Sequence, residues 1–453
     1  MSSEAPRPNT ALRVLAASVI GTTLEWYDYL IYGTFAVLVF NKLFFPEFSP
    51  LTGQLAAFGT FAVGFLARPV GGIIAGHFGD RVGRKAMMIL TVLTMGVSTT
   101  LIGTLPTYDA IGIAAPVLLV VLRILQGLAI GGELGGSVLL AVEYAPEGRR
   151  GFYGSWPSMG AFAGLFLSMA VAIPVTSLPD EQFLSWGWRI PFLASIVLVT
   201  VGVLIRTSVT ETPAFRDVRK SGGEVRYPVA DVLRRSPRNV LLAAAAYIPN
   251  NASTYVATVF LLSYATNDLD IDRTVYVTAV LIGCVFGAAA TLFFGALSDR
   301  FGRKPVYLAG VTSVALLTFP LFWLVGGATL VSISAGLIVY FIAKGAILGP
   351  QGAYFAELFG TNVRYSGASL GYNLAAIVVG APTPAIATAL LAWSDGAIWP
   401  IVLYVVVICL IAGVAVRFAK ETAHQSWERD ADTAPPAPEP TAADANPAII
   451  TDR

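Results

Sequence analysis

Glu25 and Asp28, two carboxylates three residues apart inside an otherwise apolar run, are the side chains best placed to move a proton. Three apart on a helix puts them on one face, with Tyr32 a turn further on. Adjacent carboxylates in a medium of low dielectric do not both stay ionised, so the pair predicts a site that takes up and releases a proton; a salt bridge to Arg68 or Arg123 is the competing structural role. An ionised side chain at mid-membrane costs about 2.5–3.5 kcal/mol on insertion scales, so each must face a cavity or a partner. Arg123 starts a face that runs through Gln126 to Glu133, and its guanidinium can grip a carboxylate by two parallel bonds or yield it to a neighbouring acid. Arg123 and Glu133 therefore join Glu25 and Asp28 as coupling candidates. Lys344, with Gln351 two turns along the same face, is a second candidate anion contact, its competing role being a pairing with a carboxylate elsewhere in the chain. Tyr32, Arg68, Arg123, Trp156, Tyr247, Asn250, Asn251, Tyr255, Tyr372 and Asn373 are candidates to complete a small polar site, although aromatics at helical spacing more often serve packing.

The elements that must hold these residues are membrane helices. With 55% hydrophobic and 13% charged residues and a mean hydropathy of +0.70, the chain is too apolar for water. Runs of roughly 20 apolar residues, enough helix to cross about 30 Å of hydrocarbon, occur twelve times: near 11–40, 52–77, 87–105, 111–142, 153–177, 188–207, 239–265, 273–297, 305–325, 328–353, 367–392 and 397–419. This predicts an all-α integral membrane protein of two six-helix bundles, 11–207 and 239–419. The flanking segments are an N-terminal tail (1–10), a linker rich in Arg, Glu and Pro (208–238) and an Ala/Pro-rich tail (420–453) expected to be disordered. The charges inside the run from Ala11 do not fit a cleaved signal peptide, so it reads as the first span. Lys and Arg collect on one side: 23 of the 29 lie in the termini, charged turns and linker, and only Lys42, Arg189 and Arg273 on the other. Both termini are therefore expected in the cytoplasm. Cys284 and Cys409 lie in apolar runs without metal or redox spacing, and the net charge of +1 gives no basic patch for nucleic acid.

The two halves repeat each other. Gly79-Asp80-Arg81-Val82-Gly83-Arg84-Lys85 reappears as Ser298-Asp299-Arg300-Phe301-Gly302-Arg303-Lys304, the pair Glu143 and Arg150 as Glu357 and Arg364, and Glu211-Thr212 as Glu421-Thr422. A duplicated bundle joined by short charged turns points toward transport. The phrase from Gly76 to Lys85, repeated from Gly295 to Lys304, resembles the signature of the major facilitator superfamily. Leu24-Glu25-Trp26-Tyr27-Asp28-Tyr29, Arg123-Ile124-Leu125-Gln126-Gly127 and Glu143-Tyr144-Ala145-Pro146 are similar to its metabolite:proton symporter family, whose members carry organic acids and osmolytes such as shikimate, 2-oxoglutarate, citrate and proline betaine. The stretch Gly349-Pro350-Gln351-Gly352 through Arg364-Tyr365-Ser366-Gly367 is similar to the organic-acid branch, and the tail lacks the coiled coil of some osmolyte carriers.

That resemblance implies two pseudo-symmetric bundles that rock about a central site, and a cytoplasmic gate in which the repeated aspartate caps a neighbouring helix while arginines bind facing carboxylates. It assigns the gate to Gly76, Asp80, Arg81, Gly83, Arg84, Lys85, Glu143 and Arg150, with Asp299, Arg300, Gly302, Arg303, Glu357 and Arg364 in the second half. The expectation is a bacterial inner-membrane symporter, working as a monomer, that takes up a small organic anion with protons and uses the proton gradient in place of any cofactor. An osmolyte symporter is the alternative, with a drug/proton antiporter and a non-transporting sensor behind it. Gly367-Ala368-Ser369-Leu370-Gly371 matches a nucleophile-elbow pattern but follows no strand, and the two histidines, His77 and His424, lie at a turn and in the tail, so no enzyme is expected.

Overall fold

The computed structural model describes residues 8–82, 84–131, 136–208, 234, 236–359 and 364–423, and the regular structure among them is entirely helical. Twelve rods follow in order: α1 (Pro8–Phe35), α2 (Pro50–Val82), α3 (Arg84–Thr104), α4 (Ala114–Gly131, resuming as Gly136–Glu143), α5 (Arg150–Thr176), α6 (Ile190–Ser208), α7 (Pro237–Tyr255), α8 (Arg273–Phe301), α9 (Arg303–Gly326), α10 (Leu330–Glu357), α11 (Arg364–Ala375, resuming as Thr383–Trp393) and α12 (Trp399–Phe418). Nine of the described helices are long and apolar enough to cross a membrane by those criteria alone. Two that fall short, α1 and α7, open the two bundles and carry Glu25 and Asp28, and Asn250 and Asn251. Their polarity is a property of the site they build.

Large apolar side chains cover the outside, among them Ile73, Leu316, Trp323, Trp393 and Val331, the last 80% exposed. Water would not tolerate such a surface on a monomer, whereas hydrocarbon requires it. Inside, helices approach closely through glycine. A Cβ on Gly131 would stand 1.8 Å from the Arg68 carbonyl oxygen, and one on Gly127 2.0 Å from that of Gly64. The small residues of α4 thus let α2 come into backbone contact, and α2 carries Arg68. Gly131→Ala should push the two helices apart and cost about 1–3 kcal/mol, as overpacking does. A lower thermal midpoint and a smaller monodisperse peak in detergent would report it; native-like values would show that α2 shifts freely.

The second charged phrase is mostly helix and not the turn its composition predicts. Ser298–Phe301 complete α8, and the whole reversal is made by Gly302, whose φ of 100° is open to glycine and strained for other residues. The first phrase behaves alike in backbone, since α2 runs on to Val82. Charge marks a membrane boundary, but a helix can project past it. Gly83 and the side chains of Asp80, Arg81, Arg84 and Lys85 lie outside the described residues, as do Glu133, most of the 208–238 linker and the tail from His424.

Four one-turn π segments interrupt the rods, Ala36–Phe40 after α1, Val256–Phe260 and Tyr264–Asp268 after α7, and Ala376–Gly380 within α11. Prolines sit inside α2, α5, α7 and α10 at Pro69, Pro157, Pro249 and Pro350. Each removes a backbone hydrogen bond. Each also adjoins a predicted site residue: Arg68, Trp156, Asn250 or Gln351.

Candidate functional site

The centre of the molecule is an arginine at the seam between the bundles. Arg68 of α2 is 2% exposed, donates through Nε to the Tyr29 hydroxyl at 3.0 Å and through an NH to the Tyr372 hydroxyl of α11 at 3.4 Å, and lies 3.9 Å from a Glu25 carboxylate oxygen. Its guanidinium also faces the rings of Tyr29 and Phe65 at 4.3 and 4.5 Å. Tyr372 meets Tyr247 of α7 edge to face at 4.6 Å, and Tyr255, a little further along α7, packs on Phe61 and Phe65 at 5.3 and 5.8 Å. Glu25, Arg68, Tyr247, Tyr255 and Tyr372 are thereby brought together from four helices and both bundles. A charge desolvated this far is held by the hydrogen bonds and ring faces around it.

Arg123 forms a second cationic centre, entirely within the first bundle. It is fully buried, lies over the rings of Tyr29 and Tyr32 at 4.4 and 4.1 Å, and donates to Gln126 Oε1 at 3.1 Å. Gln126 in turn donates to Thr99 at 2.6 Å. Asp28, 4% exposed, accepts from Ser195 of α6 at 3.3 Å and has Thr99 and Arg123 within electrostatic reach. The Tyr32 hydroxyl pairs with Thr60 at 2.7 Å.

Glu25 and Asp28 do not form the like-charged pair that their spacing suggests. A step of three on a helix rotates the side chain by about 60°, enough to turn Glu25 to the seam and Asp28 inward to α3 and α6. Glu25 meets Arg68, and Asp28 meets Ser195. Tyr29 touches both arginines and was not among the predicted site residues; its position four after Glu25, a spacing that stacks side chains, was the available signal.

The remaining candidates present unfilled polar groups. Among the described residues, both amide atoms of Asn250 and Gln351, the Asn251 Nδ2, the Asn373 Oδ1, the Trp156 Nε1 and the Arg123 Nε and one NH are buried without a hydrogen-bond partner. Asn373 spends its Nδ2 on Ser369 of its own helix. Lys344 is 3% exposed, with its ammonium 5.0 Å from the Phe162 ring centre. Buried polar groups in native interiors are paired with protein, water or ligand, so these atoms are open to a polar partner.

At one end of the bundles, Asp299 of α8 caps α5 across the seam. Its two oxygens accept from the Gly151 and Phe152 amides at 2.7 and 2.9 Å, and Arg303 donates to it at 2.8 Å. Arg303 is 1% exposed and also binds Ser298 at 2.8 Å and Glu357 at 3.2 Å. The carboxylate satisfies two helix-terminal amides and meets the positive end of the α5 dipole. Glu421 does the same for α9, accepting from the Arg303 and Lys304 amides at 2.9 and 3.0 Å, and these bonds hold its carboxyl below the usual range. Thr422 donates to Glu357 at 2.6 Å. Arg300 points outward over Phe301, Glu143 is exposed, and Arg150 begins α5; the Arg364 side chain lies outside the described residues. Asp299→Ala would strip two amides and Arg303 of an acceptor, an expected loss of roughly 2–4 kcal/mol. Thermal unfolding of the purified variant checks this, and an unshifted midpoint would show the cap to be idle.

At the opposite end the same two helices meet again. Arg273, at the start of α8, donates to the carbonyls of Thr176 and Leu178 at 2.9 Å each and to Asp180 at 2.5 Å. The guanidinium holds the Asp180 carboxyl below its ordinary range. No sequence pattern announces this clasp, because two of its three acceptors are main-chain carbonyls. It borders an open cavity of about 880 Å³ that also takes in Lys42, Asp270 and Asp272.

Two six-helix bundles with paired charges buried along their seam, apolar outside and latched at both ends, define a multi-pass membrane transporter. Residues 10–381 match the model of the Major Facilitator Superfamily, with a second match over 243–450, and the chain belongs to that family. It is 42% identical over 424 residues to the shikimate transporter of Escherichia coli K12, covering 91% of this chain and 95% of that one. It is 38% identical over 428 residues to the inner membrane metabolite transport protein YhjE of the same organism, covering 92% and 96%. Identity to the E. coli K12 proline/betaine transporter is 33% over 430 residues, covering 91% and 84%. Among solved structures, a D-xylose-proton symporter superposes with a TM-score of 0.70 at 18% identity, covering 91% of this chain and 98% of that one, a likeness of fold.

Proposed function

We propose that this transporter is a proton-coupled symporter that takes up a small organic acid by alternating access, with both termini in the cytoplasm. The observation that carries the reading is the seam itself: Glu25 and Arg68 from one bundle close on Tyr372 from the other, so a change in the charge of that pair alters the contact between the halves. Proton uptake by a carboxylate releases an arginine from it, and a bundle contact that depends on the pair responds. The unfilled amides of Asn250, Asn251 and Gln351 suit a cargo rich in hydroxyl and carboxylate groups. The Asp299 end is the cytoplasmic gate in this reading and the Arg273 end the external one. The proton gradient is the energy source, no cofactor takes part, and a single chain is the working unit.

An osmolyte cargo is the second reading, favoured by the aromatic faces of Tyr29, Tyr255 and Tyr372 that could cradle a quaternary ammonium. Arg68 already occupies two of those faces and repels a second cation, which weighs against it. The test is accumulation of radiolabelled shikimate, 2-oxoglutarate, citrate, betaine and proline in proteoliposomes under an imposed pH gradient. Concentrative uptake of an acid, collapsed by a protonophore, supports the first reading; concentrative uptake of betaine or proline alone supports the second.

A further inference from the structure

Charge balance inside the bundles singles out one lysine. The sequence places three basic residues within the spans, Arg68, Arg123 and Lys344. Arg68 has Glu25 beside it, and Arg123, which makes no ion pair among the described residues, is held by the Gln126 amide and the rings of Tyr29 and Tyr32. Lys344 has no carboxylate partner among the described residues; its surroundings are the Phe162 ring of α5 and the thiol of Cys284 on α8. It stands halfway along α10, and an uncompensated charge is least tolerated at the middle of a span. Seven residues on, Gln351 occupies the same face, 1% exposed, with neither its amide nitrogen nor its amide oxygen bonded. Pro350 removes a main-chain donor beside it, loosening the helix where the two side chains face inward.

We propose that Lys344 and Gln351 form the anion-receiving subsite, the cargo carboxylate pairing with the Lys344 ammonium while a second polar group of the cargo bonds the Gln351 amide. Resting on the symporter reading above, this divides the labour between the bundles. The first holds the proton-handling carboxylates Glu25 and Asp28, and the second receives the anion. Phe162 belongs to the first bundle and Lys344 to the second, so a carboxylate seated there touches both halves and can report its arrival to the seam. A cargo with a carboxylate at one end and hydroxyl or carboxylate groups at the other satisfies every unfilled group of the subsite. A quaternary ammonium would meet Lys344 with like charge.

Binding to the purified full-length protein in detergent tests this, with shikimate, 2-oxoglutarate and citrate each measured beside its uncharged methyl ester. The native chain should bind one of the acids and discriminate against its ester. Lys344→Gln should weaken that acid at least about 100-fold, the scale of breaking a buried ion pair, and lose the discrimination. Equal affinity for the acid in native and variant protein would overturn the subsite. Because that variant could fail to fold, a second measurement uses the native chain: slow modification by methyl methanethiosulfonate, read by mass spectrometry at its two cysteines. The bound acid should protect Cys284 at least tenfold and leave Cys409 unchanged. Unaltered modification of Cys284 at saturating acid would place the carboxylate elsewhere and end the proposal. Failure of the native chain to bind any of the three acids would instead remove the organic-acid reading, and the subsite with it.

Discussion

Asp28→Asn abolishes concentrative uptake while leaving exchange of cargo across the membrane within the same order of magnitude. The side chain is almost fully buried between α1, α3 and α6, where Ser195 donates to it and Arg123 supplies the nearest positive charge. An amide keeps the shape and the contact with Ser195 but carries no exchangeable charge, so the cycle that returns a proton with the cargo stops. One proton moving down one pH unit supplies about 1.36 kcal/mol, enough for about tenfold accumulation. Native protein should reach that ratio under a one-unit gradient and the variant should stay near one. Counterflow of labelled cargo in the same vesicles separates coupling from folding. Native accumulation in the variant would remove Asp28 from the proton path and leave Glu25 as the carrier.

Arg123→Lys should lower the rate of uptake by about tenfold to 100-fold although the charge is retained. The guanidinium is a plate that lies 4.4 and 4.1 Å from the centres of two tyrosine rings and is bonded to Gln126. An ammonium neither stacks on both rings nor reaches the amide with the same geometry, and each buried ring contact is worth up to about 2 kcal/mol. Gly64 makes room for the plate, since a Cβ there would lie 2.7 Å from the Arg123 Nε. Initial rates of uptake and counterflow should fall together, because the arginine orients α1 for both. Wild-type rates with lysine would reduce Arg123 to a counter-charge.

The twelve helices were legible because a bilayer fixes how long an apolar run must be, and the duplication because its charged phrases recur. The buried polar residues were legible by type and much less by direction. Arg68 and Arg123 were both visible as charges in apolar helices, yet nothing in the sequence marked Arg68 as the one at the seam, where it bonds Tyr372 of α11. The spacing of Glu25 and Asp28 suggested mutual repulsion, whereas a turn of the helix of about 60° gives them separate partners. Acceptors on the main chain leave no trace in side-chain identity, so the Arg273 clasp was invisible, and Arg273 figured only in the charge count that set topology. Lys344 was legible as a charge in an apolar helix, but only the packed structure shows an aromatic ring and a thiol beside it.

Proton entry into sealed vesicles distinguishes a symporter from a uniporter or a sensor. Proteoliposomes that contain the purified protein and a pH-sensitive dye, with no gradient imposed, are challenged in turn with shikimate, dicarboxylates, tricarboxylates, aromatic acids, betaine and proline. Proton symport predicts internal acidification with one organic acid, dependent on inward cargo flux and absent in Asp28→Asn vesicles. Cargo entry without any acidification, or acidification undiminished in Asp28→Asn, would contradict it.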